Sequence, residues 1–177
     1  MTDLAPARAV LPPGGWSGPA CDSVVLDYEG RFVRRKRLVT VSGASVLVDL
    51  PQTVSLEDGA ALVLGDGGRV RVAAAAEAVV IVSGDLPRLA WHIGNRHTPC
   101  AIGADHLMIR RDHVLEAMLV RLGAKLIPTE APFTPEGGAY GHGRTLGHHH
   151  GDGGHHEHEH DHEHDHHHHD HGGAHER

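Results

Sequence analysis

The strongest constraint on how this chain can fold is a C-terminal segment with almost no apolar side chains. Between Gly141 and Arg177 the only aliphatic side chains are Leu146 and Ala174, and most other residues are His, Gly, Asp or Glu. Such a segment cannot bury enough apolar surface to offset the entropy lost on folding. We therefore predict that residues 141–177 form a disordered tail, which leaves about 140 residues to fold.

The composition of this tail indicates metal binding. It holds 16 of the chain's 20 histidines, interleaved with acidic residues, and its longest unbroken run is His166–His169. That interleaving argues against a purification tag, which would be an uninterrupted run. Imidazole is the commonest protein ligand for divalent transition metals. Because the neutral ring is the ligand, metal capacity should fall as the pH drops through about 6.5.

The tail also contains a pattern that resembles a zinc-protease motif. Stretches that begin at His156, His158 and His162 match H-E-x-x-H. That motif works only on a stable helix that lines a pocket, and a tail rich in Gly and acidic residues offers neither. A metal-dependent hydrolase of any kind needs three ordered ligands and a polarised water, and the foldable part shows no such spacing. We therefore expect that the chain is not an enzyme.

Charge separates the foldable part from the tail. Residues 1–140 contain 14 Lys or Arg against 15 Asp or Glu, whereas the tail contains two against eight. The net charges are −1 and −6, so the foldable part has no general basic field for nucleic acid. Cys21 and Cys100 are isolated, which favours a reducing compartment. Because no segment approaches the length of a membrane span, we expect a soluble cytoplasmic protein.

The N-terminal part, residues 1–75, predicts a small all-β domain. From Ser23 to Ala74, short apolar runs alternate with Gly-containing turns and show no helical period. The clearest hairpin signal consists of Ala61–Leu64 and Arg69–Val72 on either side of a Gly-rich turn.

Four consecutive basic residues interrupt this domain, namely Arg34, Arg35, Lys36 and Arg37. No aromatic side chains interleave with them to stack nucleic-acid bases. A solvated face or a protein-docking patch is therefore the better interpretation.

The next part, residues 76–140, predicts a ferredoxin-like βαββαβ domain. Strands are predicted at Glu77–Val82, Pro99–Ile102, His106–Ile109 and Lys125–Thr129. Asp85 is predicted to cap a helix that runs to about Arg96, and Asp112 a second helix that runs to about Leu122. This order of elements is that of the ferredoxin-like unit. The fold class is therefore α+β, with a small all-β domain, a ferredoxin-like domain and a disordered His-rich tail.

Four histidines lie in the second domain: His92, His97, His106 and His113. His97 follows a predicted helix C-terminus, where the helix dipole favours a bound cation. Spacing alone nevertheless favours a solvated histidine at that position. Cys100 offers a thiolate three residues later, although packing as a small hydrophobe is the more common role of cysteine.

Three motifs in this region occur in a specific order. They are Gly94-Asn95-Arg96-His97, then Asp112-His113-Val114-Leu115-Glu116 with Met118-Leu119, then Pro132-Phe133-x-Pro135-Glu136-Gly137-Gly138-Ala139-Tyr140-Gly141. With this combination the chain resembles the UreE family of urease accessory proteins, which are nickel metallochaperones. The resemblance is close in the second domain, compositional in the tail and loose in the first domain.

The resemblance implies a cytoplasmic homodimer in which His97 pairs with its counterpart across the interface to bind Ni²⁺. Tail histidines near the fold would complete the coordination: His142, His148, His149 and His150. His113 matches a second family histidine that binds metal peripherally in some members. Some of those carry another histidine two residues earlier, where this chain has Arg111.

The resemblance also implies the partners. The first domain would bind partner proteins, with Arg34, Arg35, Lys36 and Arg37 as candidate contacts. The nickel would pass to the urease accessory GTPase that acts on apo-urease. Imidazole also suits Zn²⁺ and Cu²⁺, so the choice of Ni²⁺ over these competitors rests on the resemblance and not on ligand chemistry.

A second hypothesis is a nickel storage or detoxification protein in which only the tail matters. It predicts a high metal stoichiometry and no special role for His97.

Overall fold

The structure, a computed structural model that describes residues 3–137, contains two β-sheets and two helices. The first sheet is built from β1 (Ala7–Leu11), β2 (Asp22–Leu26), β3 (Phe32–Val39), β4 (Ser45–Ser55), β5 (Ala61–Leu64) and β6 (Arg69–Ala74). The second part is built from β7 (Ala76–Ser83), α1 (Leu86–Gly94), β8 (Ala101–Ile102), β9 (Leu107–Arg110), α2 (His113–Arg121) and β10 (Lys125–Pro132). The predicted α+β class is confirmed, and the predicted tail lies outside the described residues.

The first sheet curls so that its two edges approach each other. Its strand order is β2-β6-β5-β1-β4-β3. Just past β3, the N–H of Val41 donates to the carbonyl of Ser23 in β2 at 2.8 Å. The Ser42 hydroxyl bonds to the Asp22 carboxylate beside it. The predicted hairpin is confirmed as the antiparallel pair β5–β6.

The core of the first sheet is aliphatic. Its fully buried members include Val24, Val46, Val48, Leu62, Val70 and Val72. Strand β1 was not predicted, because its sequence is rich in alanine and runs directly into Pro12 and Pro13. Pairing with both β5 and β4 holds this segment extended in the folded chain.

The second sheet has the order β10-β7-β9-β8, and all its pairs are antiparallel. This order places the first and third strands of a βαββαβ unit in the centre, as the ferredoxin-like prediction requires. The apolar side chains that join the two helices to the sheet are Val80, Val82, Leu89, Ile93, Leu107, Ile109, Leu115 and Leu119.

Both predicted helix caps are present. The Asp112 carboxylate accepts from the backbone N–H groups of Val114 and Leu115, each at 2.9 Å. Asp85 accepts from the N–H of Arg88 at 3.5 Å. These contacts satisfy N–H groups that the first turn of a helix leaves free.

A small aromatic cluster, which we call the linking cluster, joins the two sheets. Its buried members are Tyr28, Val79 and Phe133. The rings of Tyr28 and Phe133 meet edge-on with their centroids 5.4 Å apart. The guanidinium of Arg31, in the short turn before β3, donates to the carbonyl of Phe133. The N–H of Tyr28 donates to the Glu77 carboxylate at 2.8 Å.

Within residues 3–137, neither helix is long and apolar enough to cross a membrane.

Replacing Phe133 by alanine should lower the free energy of unfolding by about 3–5 kcal/mol, because the ring is fully buried in the linking cluster. Urea unfolding measures this change. Ile127→Ala, on β10, which ends just before this residue, and 61% exposed, is the matched control and should change the value by less than about 0.5 kcal/mol. A Phe133→Ala loss no larger than that of the control would mean that the cluster does not hold the two sheets together.

The closure of the first sheet should depend on pH through Asp22. Hydrogen bonds from Ser42 and then Thr40 lower the pKa of Asp22 to about 2. A lowered folded-state pKa adds stability above the ordinary value of 3.8, and that stability is lost as the pH falls towards about 2. Ser42→Ala should therefore raise the pKa of Asp22 in an NMR titration, whereas Ser83→Ala, at the end of β7 in the second sheet, should not. An unchanged pKa in Ser42→Ala would contradict this account of the closure.

Candidate metal centre

The end of α1 sets the position of His97. The helix stops at Gly94, two residues earlier than predicted, and the chain continues in tight turns. The N–H groups of Arg96 and His97 donate to the carbonyls of Ile93 and Gly94 at 3.0 and 2.9 Å. Bonds of this i to i−3 kind tighten the last turn and bring His97 past the helix end with an exposed side chain.

His97 has a backbone conformation that side chains rarely adopt. Its φ is +52°, and it is the only non-glycine residue with positive φ within residues 3–137. The left-handed position after a helix is usually filled by glycine, because a Cβ there approaches the neighbouring carbonyl and costs about 1–2 kcal/mol. The histidine in this place therefore stands against a local backbone preference for glycine.

A shallow cavity of about 210 Å³ opens beside this histidine, and we call it the His97 cavity. Its lining includes Ala90, Gly94, His97, Cys100, Ile102 and Glu136. The segment after β10 closes one side, because the N–H of Glu136 donates to the carbonyl of Cys100 at 2.9 Å. The cavity therefore combines an imidazole, a thiol and a carboxylate with an apolar wall.

The thiol of Cys100 is poorly suited to bind a metal as it stands. Burial, reinforced by the nearby charge of Glu136, raises the pKa of Cys100 to about 11. The thiolate is the form that ligates metals, and it is scarce at neutral pH when the pKa is so high. The side chain also packs against the core of the second sheet, which agrees with a packing role.

The other histidines of the described chain lie apart from this cavity. His92 packs its ring edge-on against Trp91, with centroids 4.9 Å apart. His106 bonds to Asp105 at 2.7 Å, and this contact lowers the pKa of that carboxyl. His113 is exposed at the first position of α2, and its neighbour Arg111 pairs with Glu116 at 2.8 Å.

No group of three or more His, Cys, Asp or Glu residues that could hold a metal occurs within residues 3–137. His97 thus lies on the cavity without a complete ligand set from the described part of the chain. The predicted tail ligands, His142, His148, His149 and His150, lie outside the described residues. Arg34, Arg35, Lys36 and Arg37 are all exposed on β3, remote in sequence from the cavity.

Glu136 was not among the residues predicted from the sequence to belong to a site. It lies in the Pro135-Glu136-Gly137 run of the third motif, which is the one local signal that marks the segment. Its place on the cavity depends on a backbone bond to Cys100 across 36 residues of sequence, and no local pattern encodes that contact.

Family models match both parts of the chain. The model described as the N-terminal domain of UreE urease accessory protein matches residues 1–75, and the C-terminal domain model matches residues 77–177. A protein named urease accessory protein UreE from Cereibacter sphaeroides is 61% identical over 151 residues, or 85% of this chain and 83% of that protein. Its namesake from Rhodobacter capsulatus is 59% identical over 151 residues, or 85% and 96%. That from Paracoccus denitrificans is 63% identical over 128 residues, or 72% and 82%.

At position 97 glycine should stabilise the protein more than alanine does, whereas inside a helix alanine is the more stabilising residue. Because φ is positive there, His97→Gly should be more stable than His97→Ala by about 1 kcal/mol. At His92, inside α1, glycine should instead be less stable than alanine by about 1 kcal/mol. Urea unfolding of the four variants measures both differences. If alanine were the more stable choice at both positions, the left-handed conformation of His97 would be wrong.

Proposed function

Since the chain belongs to the UreE family of urease accessory proteins, we propose that it binds Ni²⁺ and delivers it for assembly of the urease active site. The observation that carries this proposal is the placement of His97, exposed on an open cavity in a conformation that favours glycine. The family is one of accessory proteins, and a metal carrier acts by ligand exchange. It therefore needs no catalytic acid, base or nucleophile.

The ligand set would be completed by a second copy of the chain. A homodimer with two-fold symmetry brings the same residue from each subunit to one axis, so one histidine per chain becomes a pair. Two exposed apolar side chains support such an interface. Ile102, on the His97 cavity, is 57% exposed, and Trp91 on α1 is 64% exposed. Apolar surface of this kind is covered when proteins associate.

An incomplete site suits a carrier better than a closed one. Structural metal sites are closed by four protein ligands, whereas sites that exchange a ligand keep open positions. Tail histidines such as His142, His148, His149 and His150 would fill those positions reversibly. Because the tail is tethered to the fold, its many weak imidazoles would raise the metal concentration near His97.

We further propose a division of roles along the chain. Residues 1–75 would bind partner proteins, residues 76–140 would bind metal and dimerise, and residues 141–177 would form a metal-binding tail. Arg34, Arg35, Lys36 and Arg37 are the candidate partner contacts, and His113 is a candidate peripheral ligand. The partners would be the urease accessory GTPase and apo-urease in the cytoplasm. The choice of Ni²⁺ over Zn²⁺ and Cu²⁺ is inferred from the family, because imidazole binds all three.

Calorimetry with Ni²⁺ tests the carrier mechanism. Three proteins are compared: the full chain, a truncation that ends at Ala139, and that truncation with His97→Ala. We expect the truncated protein to keep one site per dimer, because the two copies of His97 supply it, and His97→Ala to abolish it. The full chain should bind several further ions through its tail. Sedimentation of each protein establishes the dimer on which the stoichiometry depends.

His106→Ala in the truncated protein is the matched control, because His106 lies outside the cavity and should leave the site intact. If all binding disappears with the tail, or if His97→Ala changes nothing, the carrier mechanism fails. The storage hypothesis, in which only the 16 tail histidines matter, would then replace it.

A further inference from the structure

A row of positive charge lies on β3, the strand at one end of the strand order of the first sheet. We call it the basic edge, and it consists of Arg34, Arg35, Lys36 and Arg37 on β3. β3 pairs only with β4, so its other side presents backbone groups without a strand partner within residues 3–137. The pairing register shifts between Val33 and Arg35, and the four residues that follow Val33 are all exposed. Four cations that are consecutive in the sequence are therefore all exposed on one short stretch of strand.

These cations are not neutralised by strong partners. Arg35 lies 3.8 Å from Asp49, and Arg37 lies 2.9 Å from Asp3, with both pairs exposed to solvent. Exposed ion pairs of this kind contribute about 0–1 kcal/mol and exchange readily with other anions. Arg34 and Lys36 have no ion pair with any residue of the described chain. The basic edge is thus available to an anionic segment.

The chain leaves the second sheet next to this edge. The carbonyl of Phe133 accepts a hydrogen bond from Arg31, which lies three residues before Arg34. Three residues of strand cover about 10 Å. Glu136 is held by its bond to Cys100, so the reach of the chain is counted from Gly137. The 40 residues from there to Arg177 can span far more than the distance to the basic edge, because an extended chain covers about 3.3 Å per residue.

The tail has the charge that this edge would attract. Residues 141–177 carry eight Asp or Glu and two Arg, a formal net charge of −6 with neutral histidines. The rest of the chain is near neutral, and Arg34 to Arg37 form the only run of four consecutive exposed cations within residues 3–137. Tethering gives the tail a high effective concentration at a surface within its reach.

We propose that the metal-free tail, residues 141–177, docks on the basic edge of its own chain, and that metal binding releases it. Each bound Ni²⁺ adds two positive charges, so about three ions cancel the formal charge of the tail. The attraction then disappears and the basic edge becomes accessible. Docking itself rests only on charge and proximity, whereas release rests on the metal binding proposed above. A partner that recognises the basic edge would accordingly meet it only on a metal-loaded molecule.

The chain contains two lysines, Lys36 and Lys125, and they make a direct test possible. Lys36 is part of the basic edge, and Lys125 is exposed at the start of β10. A zero-length reagent that joins amines to carboxylates is applied to the full chain at about pH 8, where histidine is mostly neutral. Mass spectrometry then compares the coupling of tail carboxylates to Lys36 with their coupling to Lys125.

At low salt we expect tail carboxylates to couple to Lys36 at least about fivefold more than to Lys125. Near 1 M salt the Debye length is only about 3 Å, so the attraction is screened and the excess should vanish. The double variant Arg34→Gln with Arg35→Gln should reduce coupling at Lys36. Arg121→Gln, an exposed charge four residues before Lys125, is the matched control and should not. Mixing isotope-labelled and unlabelled chains distinguishes coupling within one chain from coupling between chains.

Acetylation of the two lysines provides a second measurement that does not depend on carboxylates. Saturation with Ni²⁺ should raise the acetylation rate of Lys36 several-fold relative to that of Lys125, because the tail leaves. Three results would overturn the docking proposal. They are equal coupling at both lysines, an excess at Lys36 that salt does not reduce, and coupling only between different chains. A Lys36 rate unchanged by Ni²⁺ would overturn release. Since the salt and charge variants need no metal, docking is tested even if the nickel site at His97 fails.

Discussion

The hydrogen bond from Arg31 to the carbonyl of Phe133 is the contact on which the arrangement of the chain depends. Arg31 is almost fully buried, and its Nε has no hydrogen-bond partner within residues 3–137. Burying a guanidinium is expensive unless its environment is polar, and here the carbonyl and the ring of Tyr28, 5.9 Å away, supply that environment. This one contact ties the turn before β3 to the end of β10. It thereby helps to set the course of the described segment, up to Gly137, that closes the His97 cavity.

Local signals predicted most of the second sheet correctly. Asp85 and Asp112 mark the helix starts, because a carboxylate at a cap satisfies free N–H groups. Gly123, with φ of +88°, marks the end of α2. These signals lie within a few residues of the structure they encode. The linking cluster could not be predicted in this way, because Tyr28 and Phe133 are separated by more than 100 residues and meet only after both sheets form.

The candidate site was predictable in part. The position of His97 after a helix end was correct, and the helix dipole gave a reason to consider it. The left-handed backbone of His97 was not predicted, because such a conformation after a helix is usually marked by a glycine. Here the residues between the helix end and His97 are Asn95 and Arg96, and the left-handed position itself is a histidine. The approach of Glu136 was also missed, because it follows from the bond to Cys100 that the course of β10 imposes. The tail ligands stay a prediction.

The backbone at His97 has an evolutionary consequence. Selection removes substitutions that lower the free energy of unfolding below the value a protein needs, and other substitutions can persist. At this position a change to glycine would relax the chain and disturb no core contact, because the side chain is exposed. If selection acted on folding alone, replacement of His97 by glycine would therefore be favoured. A lineage that lost the need for its cargo would be expected to lose this residue early, while the two sheets around it stayed unchanged.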